Sequence, residues 1–215
     1  MEREQSNISN FEIRRLTADS SERDAAAGLL AESFFDSPLF LFAFPEADTR
    51  RVTLRFLFGA IVDDALRFGC VEAAFANQIV GALLWYPPGK YPMPLYRELY
   101  GLRSYLPILL GSPIGLLKLY RVQAALGRLR PERPHCHAYF LAGQTGLRTG
   151  VALSRRVLEE ADANSWPVYL ETQDPRAVLL YRRLGFVALH SGVEILPGVP
   201  ATWTMWRDPS ALTLT

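Results

Sequence analysis

With 215 residues, 49% of them hydrophobic, the chain can bury one good core, and a single domain is expected over 11–215 behind a flexible tail at 1–10. A net charge of +1 gives no overall attraction to nucleic acid or to an anionic membrane, so neither is expected as a partner. Cys70 and Cys136 are too few for a disulfide framework and suit a reducing cytoplasm. The first ten residues, MEREQSNISN, lack the apolar run of a signal peptide. The most apolar stretch, 104–120, is broken by Pro107, Pro113 and two glycines, short of the ~20 apolar residues of a spanning helix. A soluble, cytoplasmic protein, monomeric or homodimeric, is the expectation.

In chain order, FEIRRLT (11–17) alternates Phe11, Ile13 and Arg15 on one side and predicts a first strand. A helix follows over 21–35, opening on Ser21 with Asp24 at the capping-box position. The aromatic run FFDSPLFLFAFP (34–45) reads as a connector lining a pocket or the core. Over 46–69, Val52, Phe56, Phe58, Ile61, Val62 and Leu66 mark a second helix, stopped by Gly69. Residues 70–89 read as a hairpin turning at Ala76-Asn77.

The segment 91–134 predicts a helical insert cut by Pro and Gly, with seven Arg or Lys against two Glu. That excess suits an anionic ligand and equally a solvated helix face. From 135 onward, strand and helix alternate. Strand 135–143 leads through the turn QTGLRTG to a helix over 151–165. Strand 168–173, a helix over 175–185 and two closing strands near 186–195 and 201–208 complete the chain. Such alternation argues an α/β sheet with at least one parallel crossover.

Two stretches can carry chemistry. In DPRAVLLYRRLGF, Asp174 is an N-cap, Pro175 takes the first helical position and Gly185 stops the helix. Ala177, Tyr181 and Leu184 then share one stripe. Tyr181 on that stripe packs the helix on the sheet or meets something at the end of the preceding strand. In GLRTGVALSRRVL, Gly146 and Gly150 flank Arg148-Thr149 between a strand and a helix start, where free N–H groups and the helix dipole favour a diphosphate.

Together these stretches resemble the GNAT superfamily of N-acetyltransferases. Asp174, Ala177, Tyr181, Gly185 and Phe186 match the spacing of its Asn-x-x-Ala-x-x-x-Tyr-x-x-x-Gly-Phe helix motif. The strand VYLET before them resembles the family's fifth strand. The loop departs from the family's Gln/Arg-x-x-Gly-x-Gly/Ala pattern, with Leu147 at the first position, and Arg148 is the cation nearest to replace it.

The resemblance implies a mixed, mostly antiparallel central sheet with helices on both faces and a cleft where strands four and five splay. It implies acetyl-CoA as co-substrate, no metal and a small primary amine as acceptor. Cofactor contacts would come from Leu141, Ala142, Gly143, Arg148, Thr149, Gly150, Val151, Ala152, Asp174, Ala177 and Tyr181. Backbone donors near Leu141–Gly143 would hold the oxyanion, and Tyr181 would protonate the departing thiolate. Glu171 is the nearest carboxylate for the amine's proton, or else a sheet-face Glu paired with an arginine. His135 and His137 share one strand face and read as a base or a cleft lining, since a metal pair lacks a third ligand.

Two other functions fit the same residues. One is a GNAT fold that binds an acyl-CoA or another ligand without turnover. The other is a partner-binding protein that docks through 91–134. A nucleotide-binding domain of the Rossmann type is a poor fit, because no Gly-x-Gly-x-x-Gly follows an early strand.

Overall fold

The computed structural model describes residues 11–18, 20–93, 97, 105–144 and 147–210. The expected tail at 1–10, Gly146, and 94–96 and 98–104 of the insert lie outside them. Strands β1 (Glu12–Arg15), β2 (Cys70–Ala76), β3 (Gln78–Tyr86), β4 (Cys136–Gly143), β5 (Val168–Thr172), β6 (Val187–Val193) and β7 (Thr202–Arg207) form one sheet. Their order is β1-β2-β3-β4-β5-β7-β6. Every neighbouring pair is antiparallel except β4 and β5, which are parallel, so the expected mixed and mostly antiparallel sheet is found.

Helices α1 (Ser20–Ser33), α2 (Pro38–Ala43), α3 (Ala47–Phe68) and α4 (Pro113–Gly127) belong to one side of the sheet. Helices α5 (Thr149–Ala163) and α6 (Pro175–Arg183) cover the other. Residues 105–111 are also helical. Strands β2 and β3 are buried on both faces, which is why they read as nearly unbroken apolar runs. Among the described residues no helix is long and apolar enough to cross a membrane.

Three local expectations are corrected. The connector 34–45 contains α2, started by Pro38 at its first turn, although its aromatics do line the core. Phe34, Phe40, Phe58 and Phe140 stack edge-on or tilted with centroids 5.1–6.2 Å apart. In α3 the buried stripe runs Leu54, Leu57, Phe58, Ile61, Val62 and Ala65, while Val52 and Phe56 face solvent. The set beginning at Leu54 keeps the i, i+3, i+4, i+7 rhythm without a gap, and that continuity sets the helix phase. The third correction is the start of α5, two residues early, so Thr149 and Gly150 are its first turn rather than part of the preceding loop.

Glycine stops α3 for a packing reason. A Cβ at Gly69 would lie 2.6 Å from the Trp85 carbonyl oxygen and from the Tyr86 ring. The hairpin turns at Asn77, whose φ of 65° is the left-handed conformation that asparagine tolerates.

The two helices of the second face are clamped together at their C-terminal ends by Arg207. Its Nη1 and Nη2 donate to the two oxygens of Asp162 at 2.7 Å each, and its Nε donates to the Leu184 carbonyl at 3.1 Å. The Asp162 carboxyl is held below its ordinary pKa by these bonds. Arg207→Ala should therefore cost roughly 3 kcal/mol, read as a fall in the urea midpoint at unchanged slope.

Candidate active site

The site begins where strand pairing ends. Cys136, His137 and Ala138 pair with Val168, Tyr169 and Leu170, and there the ladder stops, although β4 runs on to Gly143 and β5 to Thr172. On its other edge β4 stays paired with β3 as far as Gly143 opposite Gly81. Within that pairing Leu84 faces Phe140 and Trp85 faces Ala138, which leaves Tyr139 as the extra residue of a β-bulge. A bulge bends its strand and increases the local twist, which turns β4 away from β5. The expected splay is thus found, with its floor corrected. The apex lies at Ala138 and Leu170, and Gly143 lies at the mouth. Leu141, Ala142 and Gly143 run along the open edge.

On one face the splay meets α6. Asp174 caps it, its Oδ1 accepting from the Arg176 N–H at 2.8 Å, and Pro175 follows as expected. Gly185, at φ 90°, ends it. The Phe186 N–H donates to the Tyr181 carbonyl and the Gly185 N–H to that of Arg182, so Gly-Phe forms a Schellman stop. These two ends fix the helix phase. Ala177, Val178, Tyr181 and Leu184 are its inward residues, and Val178, which the sequence analysis did not single out, is the most buried. Tyr181 packs edge-on against Phe186 at 5.6 Å and walls a small apolar cavity shared with Ala138, Leu141 and Leu170. Burial, then the nearby Asp174 charge, pushes its hydroxyl up to about 12, so it keeps its proton at neutral pH.

At the mouth, α5 opens on Arg148 in the left-handed conformation, φ 55°, with no side-chain cap. The Ala152 N–H returns to the Arg148 carbonyl, and the N–H groups of Thr149, Gly150 and Val151, in the first turn, have no backbone partner among the described residues. Thr149 packs so closely on the strands that a Cβ at Gly143 would lie 2.4 Å from its Oγ1 and one at Gly81 3.0 Å away. The Thr149 Oγ1 is itself buried without a hydrogen-bond partner. The first-turn N–H groups of α5 beside an exposed Arg148 make a fitting cradle for a phosphate-bearing ligand.

The opposite face carries Glu171, which follows Leu170 by one residue and so points away from Tyr181. The two candidate catalytic residues therefore border the splay from opposite sides. Glu171 Oε1 lies 3.4 Å from Arg130 Nη2, and Oε2 lies 3.4 Å from His137 Nε2. All three side chains are buried. Burial alone would raise the Glu171 pKa, but His137, then Arg130 and the Tyr169 hydroxyl outweigh it and hold the carboxyl below its ordinary value. Tyr91 roofs this group, its ring 4.2 Å from His137 and 5.2 Å from Tyr139, with the Arg130 guanidinium 4.5 Å above it. Gln123 of α4 accepts from the Tyr91 hydroxyl at 3.2 Å and donates to that of Tyr139 at 3.4 Å. His135 stacks near Tyr169 and Trp206.

Tyr91, Gln123, Arg130 and Tyr139 were not singled out as site residues from sequence. For Tyr91, Gln123 and Arg130 the only signal was the basic excess of 91–134, and no spacing links that segment to Glu171, while Tyr139 read as one more residue of strand 135–143.

No protein-family model matches the chain. Solved structures do. The histone acetyltransferase HPA2 and related acetyltransferase from Corynebacterium glutamicum superposes with a TM-score of 0.67 at 26% identity, over 94% of this chain and 99% of its own. An agmatine N-acetyltransferase gives 0.54 at 19% identity, over 92% and 98%. Arylalkylamine N-acetyltransferase 2 from Aedes aegypti gives 0.55 at 15%, over 93% and 100%. The fold is that of the GNAT superfamily, and the class of protein is an acyltransferase.

Glu171 gives a stability test. A carboxyl with a depressed folded pKa stabilises the fold above its unfolded value of about 4.3, and that contribution is lost as pH falls through the folded value. Glu171→Gln should cost about 3 kcal/mol at pH 7 by leaving Arg130 buried and unpaired. Urea titrations from pH 7 down to pH 3 should show the gap from wild type closing below pH 4.3. A gap constant with pH would mean the carboxylate charge is not what matters.

Proposed function

We propose that the protein is an N-acetyltransferase that transfers the acetyl group of acetyl-CoA to the primary amine of a small acceptor. The observation that carries this is the splay after Ala138 and Leu170, with a protonated tyrosine on one side and an ionised carboxylate on the other. Arg148 and the first-turn N–H groups of Thr149, Gly150 and Val151 hold the diphosphate of the co-substrate. The unpaired edge of β4 along Leu141–Gly143 offers backbone donors to the thioester oxygen as it gains charge. Ala177 keeps the α6 stripe low beside the cleft, and Asp174 sets the helix phase that brings Tyr181 to it.

The steps follow from this arrangement. Glu171, directly or through water, takes a proton from the ammonium of the acceptor. The free amine attacks the thioester carbonyl, and the tetrahedral oxyanion is held on β4. On collapse the carbon–sulfur bond breaks, and the thiolate takes the proton of Tyr181. The attacking nitrogen loses its second proton to water as the amide forms, which balances the proton that the Tyr181 phenolate regains from solvent, and the Glu171 proton is released.

Acetyl-CoA with a panel of small amines, read by release of the free thiol, tests the reaction directly. Tyr181→Phe keeps the ring and removes the donor, so turnover should fall by ~10²–10⁴. Its melting temperature and cofactor affinity should change little, because the lost interaction belongs to the transition state. Full activity would make Tyr181 a packing residue. Arg148→Ala should weaken acetyl-CoA binding by about ten- to a hundredfold in calorimetry, the worth of a charge-assisted phosphate contact. Tight acetyl-CoA binding without turnover on any amine would instead favour a ligand-binding module.

A further inference from the structure

Arg130 is held differently from the other buried arginines. Arg207 makes four hydrogen bonds of 2.7–3.1 Å, and Arg97 is bound to both oxygens of Asp64 and to the Lys90 carbonyl. Among the described residues Arg130, with its side chain 8% exposed, makes one hydrogen bond, at 3.4 Å to Glu171, besides its stacking on Tyr91, and its Nε is buried without a partner. Its guanidinium is placed by two features, a carboxylate and the face of Tyr91, which are also the two features that recognise an organic cation. It reaches the site on a long side chain from the turn that follows α4.

One nearby ring nitrogen lacks a donor. His135 Nδ1 lies 2.7 Å from the Arg133 carbonyl oxygen, which can only accept, so the ring proton sits on Nδ1 and Nε2 offers a bare lone pair. That Nε2 is buried and unpartnered, whereas His137 Nε2 and the Tyr169 hydroxyl face the Glu171 carboxylate. Leaving the His135 lone pair unpaired costs about 1–3 kcal/mol, so the spot suits an N–H donor on a ligand head. The walls are aromatic, from Tyr91, Tyr139 and Tyr169. Glu171 is the carboxylate that meets the cluster, and Asp64, beyond Tyr86, is already taken by Arg97. A second ammonium on the ligand would find no counter-ion among the described residues there.

We propose that Arg130 is an internal stand-in for the head group of the acceptor. The acceptor is then a monoamine on a flat apolar body, whose ammonium takes the place of the guanidinium between Tyr91 and Glu171. The word acceptor rests on the acetyltransferase reading, whereas the displacement does not.

The test is calorimetry without acetyl-CoA, using 2-phenylethylamine and spermidine on wild type, Arg130→Gln and Arg130→Lys, with a melting curve for each. Removing the internal competitor should tighten 2-phenylethylamine binding by about tenfold in Arg130→Gln, while spermidine binding stays weak. Methylguanidine should raise the melting temperature of Arg130→Gln and leave that of wild type unchanged. If Arg130→Gln does not fold, Arg130→Lys, which keeps the charge but loses the planar fork, should still bind 2-phenylethylamine more tightly than wild type. Unchanged or weaker binding in the folded variants, or a preference for spermidine, overturns the proposal and makes Arg130 a fixed counter-ion. Acetyl transfer measured separately distinguishes the two failures. Tighter binding with no transfer removes the acetyltransferase reading alone, and transfer with an unchanged KM for 2-phenylethylamine removes the stand-in alone.

Discussion

The parallel pairing of β4 with β5 lasts only three residue pairs, and its end after Ala138 and Leu170 leaves a wedge of unpaired backbone inside a seven-stranded sheet. Interior N–H and C=O groups are costly to leave unpaired, so such a wedge persists only where the structure on both sides holds it open. Here the bulge at Tyr139 turns β4 away, and the antiparallel ladder with β7 holds β5 in place along its whole length from Val168 to Thr172. Each strand is thus committed to its outer neighbour, and the opening between them follows from geometry.

The parts legible in the sequence were those set by neighbours in the chain. The Asp174 cap, Pro175 and the Gly185-Phe186 stop are contacts over a few residues, and they fixed the phase of Tyr181 correctly. The phase of α3 was misread because Val52 and Phe56 are large and apolar yet face solvent, and only continuity with Leu54 and Leu57 reveals the buried side. The bulge at Tyr139 left no local mark, since HCHAYFLAG reads as an ordinary strand. Arg130 meets Glu171 across 41 residues of separation and a helical insert, so no motif could have announced the pair.

Apart from Lys90 and Lys118 every basic residue of the Lys/Arg set is arginine, and that abundance has a structural counterpart. Arg207 ties the ends of α5 and α6 through Asp162, Arg97 joins Asp64, and Arg15 bridges the buried Glu72 of β2 to Glu160 of α5. A planar guanidinium can serve two partners on different elements at once, which a lysine ammonium on a flexible stem does less well. Such links tie segments distant in the chain without further enlarging the apolar core. Arg130 departs from this pattern, with one hydrogen bond of 3.4 Å among the described residues and the Tyr91 ring as its other support.

The placement of Tyr181 and Glu171 on opposite faces bears on how transfer can occur. In an unbroken sheet, side chains of Leu170 and Glu171 point to opposite faces and their surroundings never meet. Once pairing stops, the wedge becomes a passage between the faces. On the proposed function, the thiol ester approaches along the α5 and α6 side, where helix N–H groups and Tyr181 await it. The amine approaches from the Tyr91 side, where Glu171 is ionised. Acid and base are then kept apart by the sheet itself, so Glu171 cannot simply take the proton of Tyr181 and quench both groups. The splay brings the two reactants together while their proton donor and acceptor stay separated, and a closed ladder with the same residues could not do this.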